Sequence, residues 1–454
     1  MKKTAIIFLS LLLIVAHFVG CDSEALPSTK PSTAVPTTQV PTTEAPTTAA
    51  PSTEAPTTEA PTTEAPSTEA PTQPQVEIPL DKPVNVLYCT YTEKPYFAMV
   101  GTCTEGATVV GEVAGIRYSS KSYKGYFSLR LPCENGSVEV ILSQTTGPNT
   151  VSEPFSYTAW PKYQEAGRWL VVTGGDFQFF LQKMLPDYQK DNLATEDAYA
   201  ALEEQVQKRL ETMHSYNPEG EIIYLIVPSS MSIYPELVPA DYVQGTGQSR
   251  LDRISQSLRK AGATVIDLKS AFMAHKNDEM PLYYKLDSHW SDYGAFVAYE
   301  ELFTHISKKF PHAAPRALEE FNWKADYYLS GDISHYLGMS QSAVPEYGYY
   351  RSFAFDAPNS ITSISRYRSP SVLTYSDAMT YEKWFGTERP ELPSCMVIRD
   401  SYSTQIYDLI LERMDNTHFL GMWNYTWNSS TIKAEKPDYV IYLVAEWNID
   451  VLMK

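Results

Sequence analysis

The sequence predicts an α/β domain with a mainly parallel sheet, preceded by a small all-β module. Buried-type apolar runs alternate with helical periodicity over residues 160–454, which is typical of α/β folds. Short β-branched and aromatic runs separated by turns occupy residues 80–158 and favour a β-sandwich. Before them, residues 21–79 carry a regular proline repeat that leaves almost nothing apolar to bury. We therefore divide the chain into 1–20, 21–79, 80–158 and 160–454.

The composition excludes several classes of function. The chain of 454 residues has 54 Asp and Glu against 36 Lys and Arg, a formal net charge of −18. This acidic balance argues against a nucleic-acid partner and against electrostatic docking on anionic lipid. The five cysteines show no CxxC pair or Cys/His cluster, so the sequence predicts no metal, and it shows no cofactor motif.

The first 20 residues read as a signal peptide. Lys2 and Lys3 precede an apolar run, Ala5–Val19, that is short for a membrane span. Gly20 stands directly before Cys21, and this segment resembles a bacterial lipobox. The resemblance implies cleavage before Cys21 and lipidation of its thiol, which would anchor the chain at the extracellular face of the membrane. The alternative is ordinary secretion.

Residues 21–79 form a linker rich in Pro, Thr and Glu, predicted to be disordered. A proline recurs every fifth residue from Pro31 to Pro71. Proline favours extended polyproline II, so about 50 residues can reach on the order of 150 Å. The linker is expected to hold the folded part away from a membrane.

Residues 80–158 predict a small sandwich of six strands. Its expected strands are Val84–Tyr91, Tyr96–Thr102, Thr108–Ala114, Gly125–Leu131, Ser137–Ser143 and Phe155–Thr158. The turn and strand pattern around Gly106 and Gly125 resembles bacterial immunoglobulin-like modules. In such an exported sandwich Cys103 and Cys133 are candidates for a disulfide. A passive spacer is favoured over a carbohydrate-binding module.

Residues 160–454 predict the α/β domain. The expected parallel strands are Trp169–Thr173, Ile222–Val227, Thr264–Leu268, Met396–Ile398 and Tyr439–Val444. Helical periodicity is found over Ala198–His214, over Ser249–Ala261 and from Ser291 to Ile306. Reacting groups collect at the carboxyl ends of strands in such sheets, so the active site is expected there.

Two segments carry the candidate chemistry. Asp287 and His289 lie two apart before a helix that Ser291 can cap, and a carboxylate so placed can orient an imidazole. Ser401 follows an apolar run and precedes a helical pattern, so its N–H can lie at a helix start that favours an oxyanion. A serine hydroxyl needs a base, and His289 is the best candidate. Each segment also has a structural interpretation, Ser401 as a helix cap and the Asp-x-His pair as chance.

Asp287-Ser288-His289-Trp290, with Gly294 downstream, resembles the Asp-x-His-Trp motif of the SGNH-like alginate O-acetyltransferases and their DHHW-type relatives. Gly331-Asp332 resembles a Gly-Asp turn of that family, and Arg399-Asp400-Ser401-Tyr402 resembles its nucleophile block. The resemblance covers residues 163–454 and implies an SGNH-hydrolase-like fold.

The resemblance also implies roles. Ser401 would be the nucleophile, His289 the general acid and base, and Asp287 its orienter. Further candidates for the oxyanion or substrate are Arg399, Asp400, Tyr402 and Trp290. The acceptor would be a cell-wall or extracellular polysaccharide, and a membrane-bound O-acyltransferase would supply acetyl groups without a cofactor in this chain.

Three functions stay open at this point: an O-acetyltransferase, an acetyl esterase with the same three residues, and a non-catalytic glycan-binding surface lipoprotein. Residues 321–394 are rich in Tyr and Trp, and so is the segment with Trp423, Trp427 and Trp447. These rings either stack on sugars or build local core.

Overall fold

A computed structural model describes residues 84–93, 95–148, 150–164, 170–328, 331–355 and 381–454. They lie in one compact unit that runs from Val76 to Lys454. The predicted signal peptide, Cys21 and the proline-rich linker lie outside the described residues, as does Trp169 of the first predicted strand. Within the described ranges, no helix combines the length and apolar character that crossing a bilayer requires.

The described residues of the N-terminal module form eight strands, all paired antiparallel. They are β1 Asn85–Tyr91, β2 Tyr96–Thr102, β3 Thr108–Val113, β4 Ile116–Lys121, β5 Tyr126–Pro132, β6 Val138–Gly147, β7 Thr150–Val151 and β8 Phe155–Ala159. One sheet has the order β1-β2-β5, and the other has β4-β3-β6-β7 with β8 paired to β6. Phe97, Val109, Phe127 and Val140 lie in their common core. The immunoglobulin-like nature of this module stays a prediction.

Strand β4 has no counterpart among the six predicted strands. It lies at a sheet edge, and Ser120 is its one buried residue, so its sequence lacks an apolar alternation. A two-residue turn, Ala114-Gly115, connects β3 to β4, and both turn residues have positive φ, 49° and 81°. Such turns match the twist of antiparallel strands and bring β4 back onto β3.

The structure does not pair Cys103 with Cys133, which corrects the predicted disulfide. Both side chains are buried, and no bond joins them. The two residues follow adjacent antiparallel strands, so they lie at opposite ends of the ladder: Cys103 bonds to Gly125, and Cys133 bonds to Pro95. At about 3.4 Å per residue the separation is roughly 25 Å, far beyond the reach of a disulfide.

The described residues of the C-terminal domain form ten strands. They are β9 Val171–Thr173, β10 Phe179–Leu181, β11 Glu221–Val227, β12 Thr264–Val265, β13 Phe321–Tyr328, β14 Glu346–Phe353, β15 Lys383–Gly386, β16 Cys395–Arg399, β17 Asn416–Phe419 and β18 Tyr439–Ala445. Six of them form a sheet of order β12-β11-β18-β16-β17-β15. Its pairs are parallel except for β15 with β17, and β13 and β14 form a separate antiparallel hairpin.

The first predicted strand of this domain does not join the large sheet. Its described part, β9, pairs antiparallel with β10 in a sheet of two strands. The chain reverses tightly between them, because Gly174 donates to the carbonyl of Gln178 at 2.8 Å and both Asp176 and Phe177 have positive φ. The predicted run of five residues, 169–173, did not distinguish a hairpin from a parallel strand.

Nine α-helices lie in the described residues, and six of them cover the two faces of the large sheet. The nine helices are α1 Leu185–Gln189, α2 Glu196–His214, α3 Ser230–Ile233, α4 Arg250–Lys260, α5 Leu268–His275, α6 Asp292–Ile306, α7 Asp332–Tyr336, α8 Tyr407–Glu412 and α9 Ser429–Glu435. Helices α5, α6 and α8 pack on one face, and α2, α4 and α9 pack on the other. The three predicted helical segments match α2, α4 and α6 closely.

The β module packs directly on the α/β domain. Ala98 and Val100 of β2 share an apolar core with Val171 and Phe177. Arg130 of β5 donates to both carboxylate oxygens of Asp241 at 2.8 Å. The module is therefore part of the folded unit in the described residues.

Candidate active site

Ser401 lies at the carboxyl end of the parallel strands. Strand β16 runs between β17 and β18 and ends at Arg399. The buried carboxylate of Asp400 accepts the N–H of Tyr402 at 3.0 Å and that of Ala445 at 2.8 Å. Asp400 thereby caps the short 3₁₀ turn Ser401–Thr404 and ties it to the end of β18. Ligands bind at this edge in open α/β sheets.

Asp287 and His289 lie in the loop that precedes α6. Ser291 caps this helix by accepting the N–H of Gly294 at 3.2 Å. The indole of Trp290 is fully buried and donates to the carbonyl of Tyr402 at 2.9 Å. This bond fastens the loop to the turn that carries Ser401.

The structure brings Asp287, His289 and Ser401 together although 112 residues separate His289 from Ser401. His289 Nε2 lies 2.9 Å from Ser401 Oγ, and Nδ1 lies 2.6 Å from Asp287 Oδ1. The same carboxylate oxygen accepts the backbone N–H of His289 at 2.9 Å. The side chains of His289 and Asp287 are 19% and 16% exposed, so the chain of hydrogen bonds is shielded and still reachable from solvent.

The charges in this group favour a protonated His289. Burial lowers the pKa of the imidazole, but the charge and hydrogen bond of Asp287, aided by the charges of Asp332 and Asp400, outweigh it and raise the pKa to about 9. For Asp287, burial raises the pKa, and the charge and hydrogen bonds of His289 bring it below its ordinary value. A carboxylate that stabilises an imidazolium in this way can support its use as a base.

Two further carboxylates accept hydrogen bonds from the backbone of the loop that carries Asp287. Asp332, the first residue of α7, accepts the backbone N–H of Ser288 at 2.8 Å and its hydroxyl at 2.5 Å. Glu346, at the start of β14, accepts the N–H of Leu286. Gly331 is required where α7 meets the loop, because a Cβ there would lie 2.4 Å from the Cβ of Asp287. The backbone on both sides of Asp287 is therefore fixed.

Residues 171–360 match the family model described as SGNH hydrolase-like domain, acetyltransferase AlgX. The family resemblance predicted from the Asp-x-His-Trp motif is thereby confirmed. The match includes Asp287, His289, Asp332 and Glu346 and ends before Ser401. It supports an enzyme of the SGNH-like acetyltransferase type.

Three solved structures align with part of the chain at TM-scores below 0.5. PatB1 of Bacillus cereus aligns with a TM-score of 0.47 and 14% identity over 63% of this chain and 98% of that one. A DHHW family protein from Eubacterium siraeum aligns at 0.42 and 12%, over 62% and 95%. The O-acetyltransferase domain of Pseudomonas putida AlgJ aligns at 0.39 and 16%, over 63% and 92%. No curated protein matches the sequence.

The four other residues predicted for the site of this SGNH-like domain lie beneath it. Trp290, Arg399, Asp400 and Tyr402 are all fully buried. Arg399 donates to the carbonyl of Leu420 at 3.0 Å and to Ser403 Oγ at 3.0 Å. The structure places these side chains as supports of the Ser401 turn rather than as contacts for substrate. The backbone N–H of Ser401 has no hydrogen-bond partner among the described residues.

Lys183 stands beside the site, and its sequence context did not predict this. Its ammonium lies 3.1 Å from the ring centre of Trp447, whose indole donates to Tyr402 Oη at 3.5 Å. Burial lowers the pKa of Lys183 to about 8, against the opposing charges of Asp332 and Asp400. Lys183 is therefore a cation close to the turn that carries Ser401.

Asp332, Glu346 and Lys183 were not assigned a role from sequence. The Gly331-Asp332 pair before a helix was a usable signal for Asp332. Glu346 and Lys183 gave none, because a single charged residue in a Tyr-rich strand or after a short apolar run resembles any surface residue.

Asp287, His289 and Asp332 each bring one ligand-type atom within 4.8 Å of the others, the one such group in the described ranges. Their atoms already bond to one another, to Ser288 and to Ser401, so we assign no metal there. His418 is paired with Glu382 at 2.9 Å and Glu435 at 2.7 Å, away from this site.

Proposed function

We propose that this chain is an O-acetyltransferase that moves an acetyl group, through an ester on Ser401, to a hydroxyl of an extracellular polysaccharide. One observation carries the proposal: Ser401 Oγ, His289 and Asp287 form a continuous chain of hydrogen bonds of 2.9 and 2.6 Å at the carboxyl end of the sheet. The SGNH-like acetyltransferase match of residues 171–360 supports it.

The first step forms the acyl-enzyme. Ser401 Oγ attacks the acetyl carbonyl carbon while His289 Nε2 takes its proton. The bond from that carbon to the donor's oxygen breaks, and His289 returns the proton to the leaving oxygen. The free N–H of Ser401 can donate to the oxyanion as charge develops there.

The second step reverses these roles. A sugar hydroxyl gives its proton to His289, its oxygen attacks the acyl carbon, and Ser401 Oγ leaves and recovers the proton. Asp287 orients the imidazole and stabilises its cation in both steps. If water takes the place of the sugar, the same site is an esterase.

We further propose that the chain acts at the extracellular face of a membrane, held there by lipid on Cys21, and that a membrane-bound O-acyltransferase supplies the acetyl groups. The lipobox-like segment before Cys21 motivates this proposal. Cys21→Ser should move the protein from the membrane fraction to the soluble fraction. Retention of the variant in the membrane fraction would contradict lipid anchoring.

The function is tested by incubating the purified chain with p-nitrophenyl acetate and soluble oligosaccharides, followed by mass spectrometry of the sugars. We expect an acetylated sugar with the wild type and none with Ser401→Ala. Ser215→Ala, which removes an exposed hydroxyl at the end of α2, is the matched control and should retain activity.

The outcomes separate the alternatives. Ester cleavage that depends on Ser401 but yields no acetylated sugar would favour the esterase. Acetyl transfer that persists in Ser401→Ala would overturn the proposed role of Ser401.

A further inference from the structure

A cavity of about 690 Å³ opens on the face of the sheet covered by α2, apart from the Ser401 site. Its wall includes Gln205, Lys208 and Arg209 of α2 and the rings of Trp423, Tyr425 and Trp427, and we call it the Arg209 pocket. Its volume lies within the range of small-ligand sites. None of the described residues that line it is Asp or Glu.

Arg209 is a buried cation without an anion. The residue is 8% exposed, and its guanidinium forms no ion pair within the described part of the chain. The buried side chain of Tyr224 contacts it from the sheet, and Arg209 Cζ lies 5.5 and 5.6 Å from the ring centres of Trp427 and Tyr442. Buried charges are ordinarily paired, so an unpaired guanidinium in a cavity calls for an anionic ligand.

The aromatic wall is fixed in place. Trp423 adopts a strained φ of +64°, and its N–H donates to the carbonyl of Arg399 at 2.9 Å. Strained residues of this kind persist where the surroundings over-determine them, as in ligand clamps. Trp427 is anchored by its indole, which donates to Ser429 Oγ at 2.9 Å.

Hydrogen bonds also connect the pocket to the Ser401 turn. Asn448 donates to the hydroxyl of Tyr425 at 2.6 Å, and its side chain also bonds to the carboxylate of Asp400. Asp400 directly precedes Ser401. The wall of the Arg209 pocket is therefore joined through Asn448 to the turn that carries Ser401.

We propose that the Arg209 pocket binds a sugar residue that carries one anionic group, with Arg209 pairing to that group and the aromatic wall packing on the sugar ring. The proposal rests on the proposed function, because it assigns the pocket to the polysaccharide acceptor. The anionic group is the carboxylate of a uronic acid or a phosphate ester on a sugar.

The test is calorimetric titration of the full chain with trigalacturonate, with galactose 6-phosphate and with neutral galactotriose. We expect an anionic probe to bind at least about tenfold more tightly than galactotriose, as a charged hydrogen bond provides. The preferred anionic probe identifies the source of the charge. Equal affinity for the neutral and the anionic probes would overturn the proposal.

Variants locate the binding. Arg209→Met should weaken anion binding by about tenfold or more, and Arg209→Lys should retain part of it. Arg117→Met is the matched control, since it removes an exposed arginine of the β module with the same change in net charge. If Arg209→Met does not fold, Trp427→Leu replaces it and should also weaken binding. Unchanged affinity in the folded variant would contradict the assignment.

The titration is repeated with Ser401→Ala so that binding is measured without turnover. If the Ser401→Ala variant binds trigalacturonate while the wild type transfers no acetyl group, the assignment of the Arg209 pocket is supported and the proposed function fails. If the wild type acetylates neutral sugars while no anionic probe binds, the proposed function stands and the pocket assignment fails.

Discussion

His289 has two partners with opposite requirements. Asp287 stabilises its cation, whereas proton transfer from Ser401 requires its neutral form. Because the pKa of the imidazole is about 9, most of the free enzyme at neutral pH holds the protonated form. The fraction competent for attack therefore grows as the pH rises.

We expect kcat/KM for p-nitrophenyl acetate to increase with pH up to about 9. Asp287→Asn removes the charge that raises the pKa, so this limb should move to lower pH, and kcat should fall by roughly 10³- to 10⁴-fold. Asp278→Asn is the matched control, because Asp278 pairs with the exposed His275 at 2.8 Å. If kcat/KM of Asp287→Asn still rises up to about pH 9, the charge of Asp287 is not what raises the pKa of His289.

Sequence reasoning named Asp287, His289 and Ser401 because each stands next to a recognisable helix start. It could not name Glu346 or Lys183, since their positions depend on how the β13–β14 hairpin and the β9–β10 hairpin fold against the loop. Trp290 was a predicted site residue, but the sequence could not show that its indole donates to Tyr402, 112 residues away.

At the scale of elements, the loop that carries Asp287 is positioned by two neighbours that were not predicted to meet it. Helix α7 contributes Asp332, and strand β14 contributes Glu346. Glu346 is 1% exposed, and burial raises the pKa of its carboxyl to about 7. A group of this kind makes stability depend on pH.

For Glu346 the folded chain binds a proton more tightly than the unfolded chain. The free energy of unfolding should therefore fall as the pH rises from about 4.5 to 7, and a pKa of about 7 against 4.5 corresponds to about 3 kcal/mol. Glu346→Gln removes the titrating carboxyl. The difference in free energy of unfolding, variant minus wild type, should therefore rise by about 3 kcal/mol between pH 4.5 and pH 8.

Urea unfolding of both proteins at the two pH values measures this difference. Glu105→Gln, at an exposed turn of the β module, is the control and should show no trend. A difference between Glu346→Gln and wild type that does not vary with pH would show that Glu346 keeps an ordinary pKa.

The strands that could be predicted were those with continuous apolar runs, such as β11 and β18, which are buried on both faces. Strand β17, which reads Asn-Thr-His-Phe, and the edge strand β15 were missed because they are short and partly polar. The hairpin β13–β14 pairs eight residues of each strand, yet its tyrosines fall on both faces and give no alternation.

In the whole molecule, the β module is packed on the α/β domain and not held apart from it. The hydroxyl of Tyr88 accepts the N–H of Ser340 at 3.0 Å, and Thr90 donates to the carbonyl of Leu337 at 3.1 Å. Both contacts fall just beyond α7, the helix that begins with Asp332. The predicted spacer therefore supports the same segment that positions the loop of Asp287.

Arg130 is the charged centre of this contact. It donates to Asp241 across the interface and to the buried Glu93 at 2.5 Å, and its Cζ lies 3.4 Å from the ring centre of Tyr96. Arg130→Met leaves the carboxylate of Glu93 buried without a cation, which should cost about 3 kcal/mol of unfolding free energy.

A second substitution separates the effect of the unpaired Glu93 carboxylate from the loss of packing around Arg130. Glu93→Gln in the Arg130→Met background removes the unpaired charge and should recover most of the free energy of unfolding measured in urea. The control is Arg117→Met, at an exposed arginine of the same module, which should change the free energy of unfolding by less than about 0.5 kcal/mol.

We also expect the wild type to unfold in one transition that includes the loss of p-nitrophenyl acetate hydrolysis. If Arg130→Met unfolds the β module and leaves that hydrolysis intact at the same urea concentration, the two parts are independent, and the module does not support the active site.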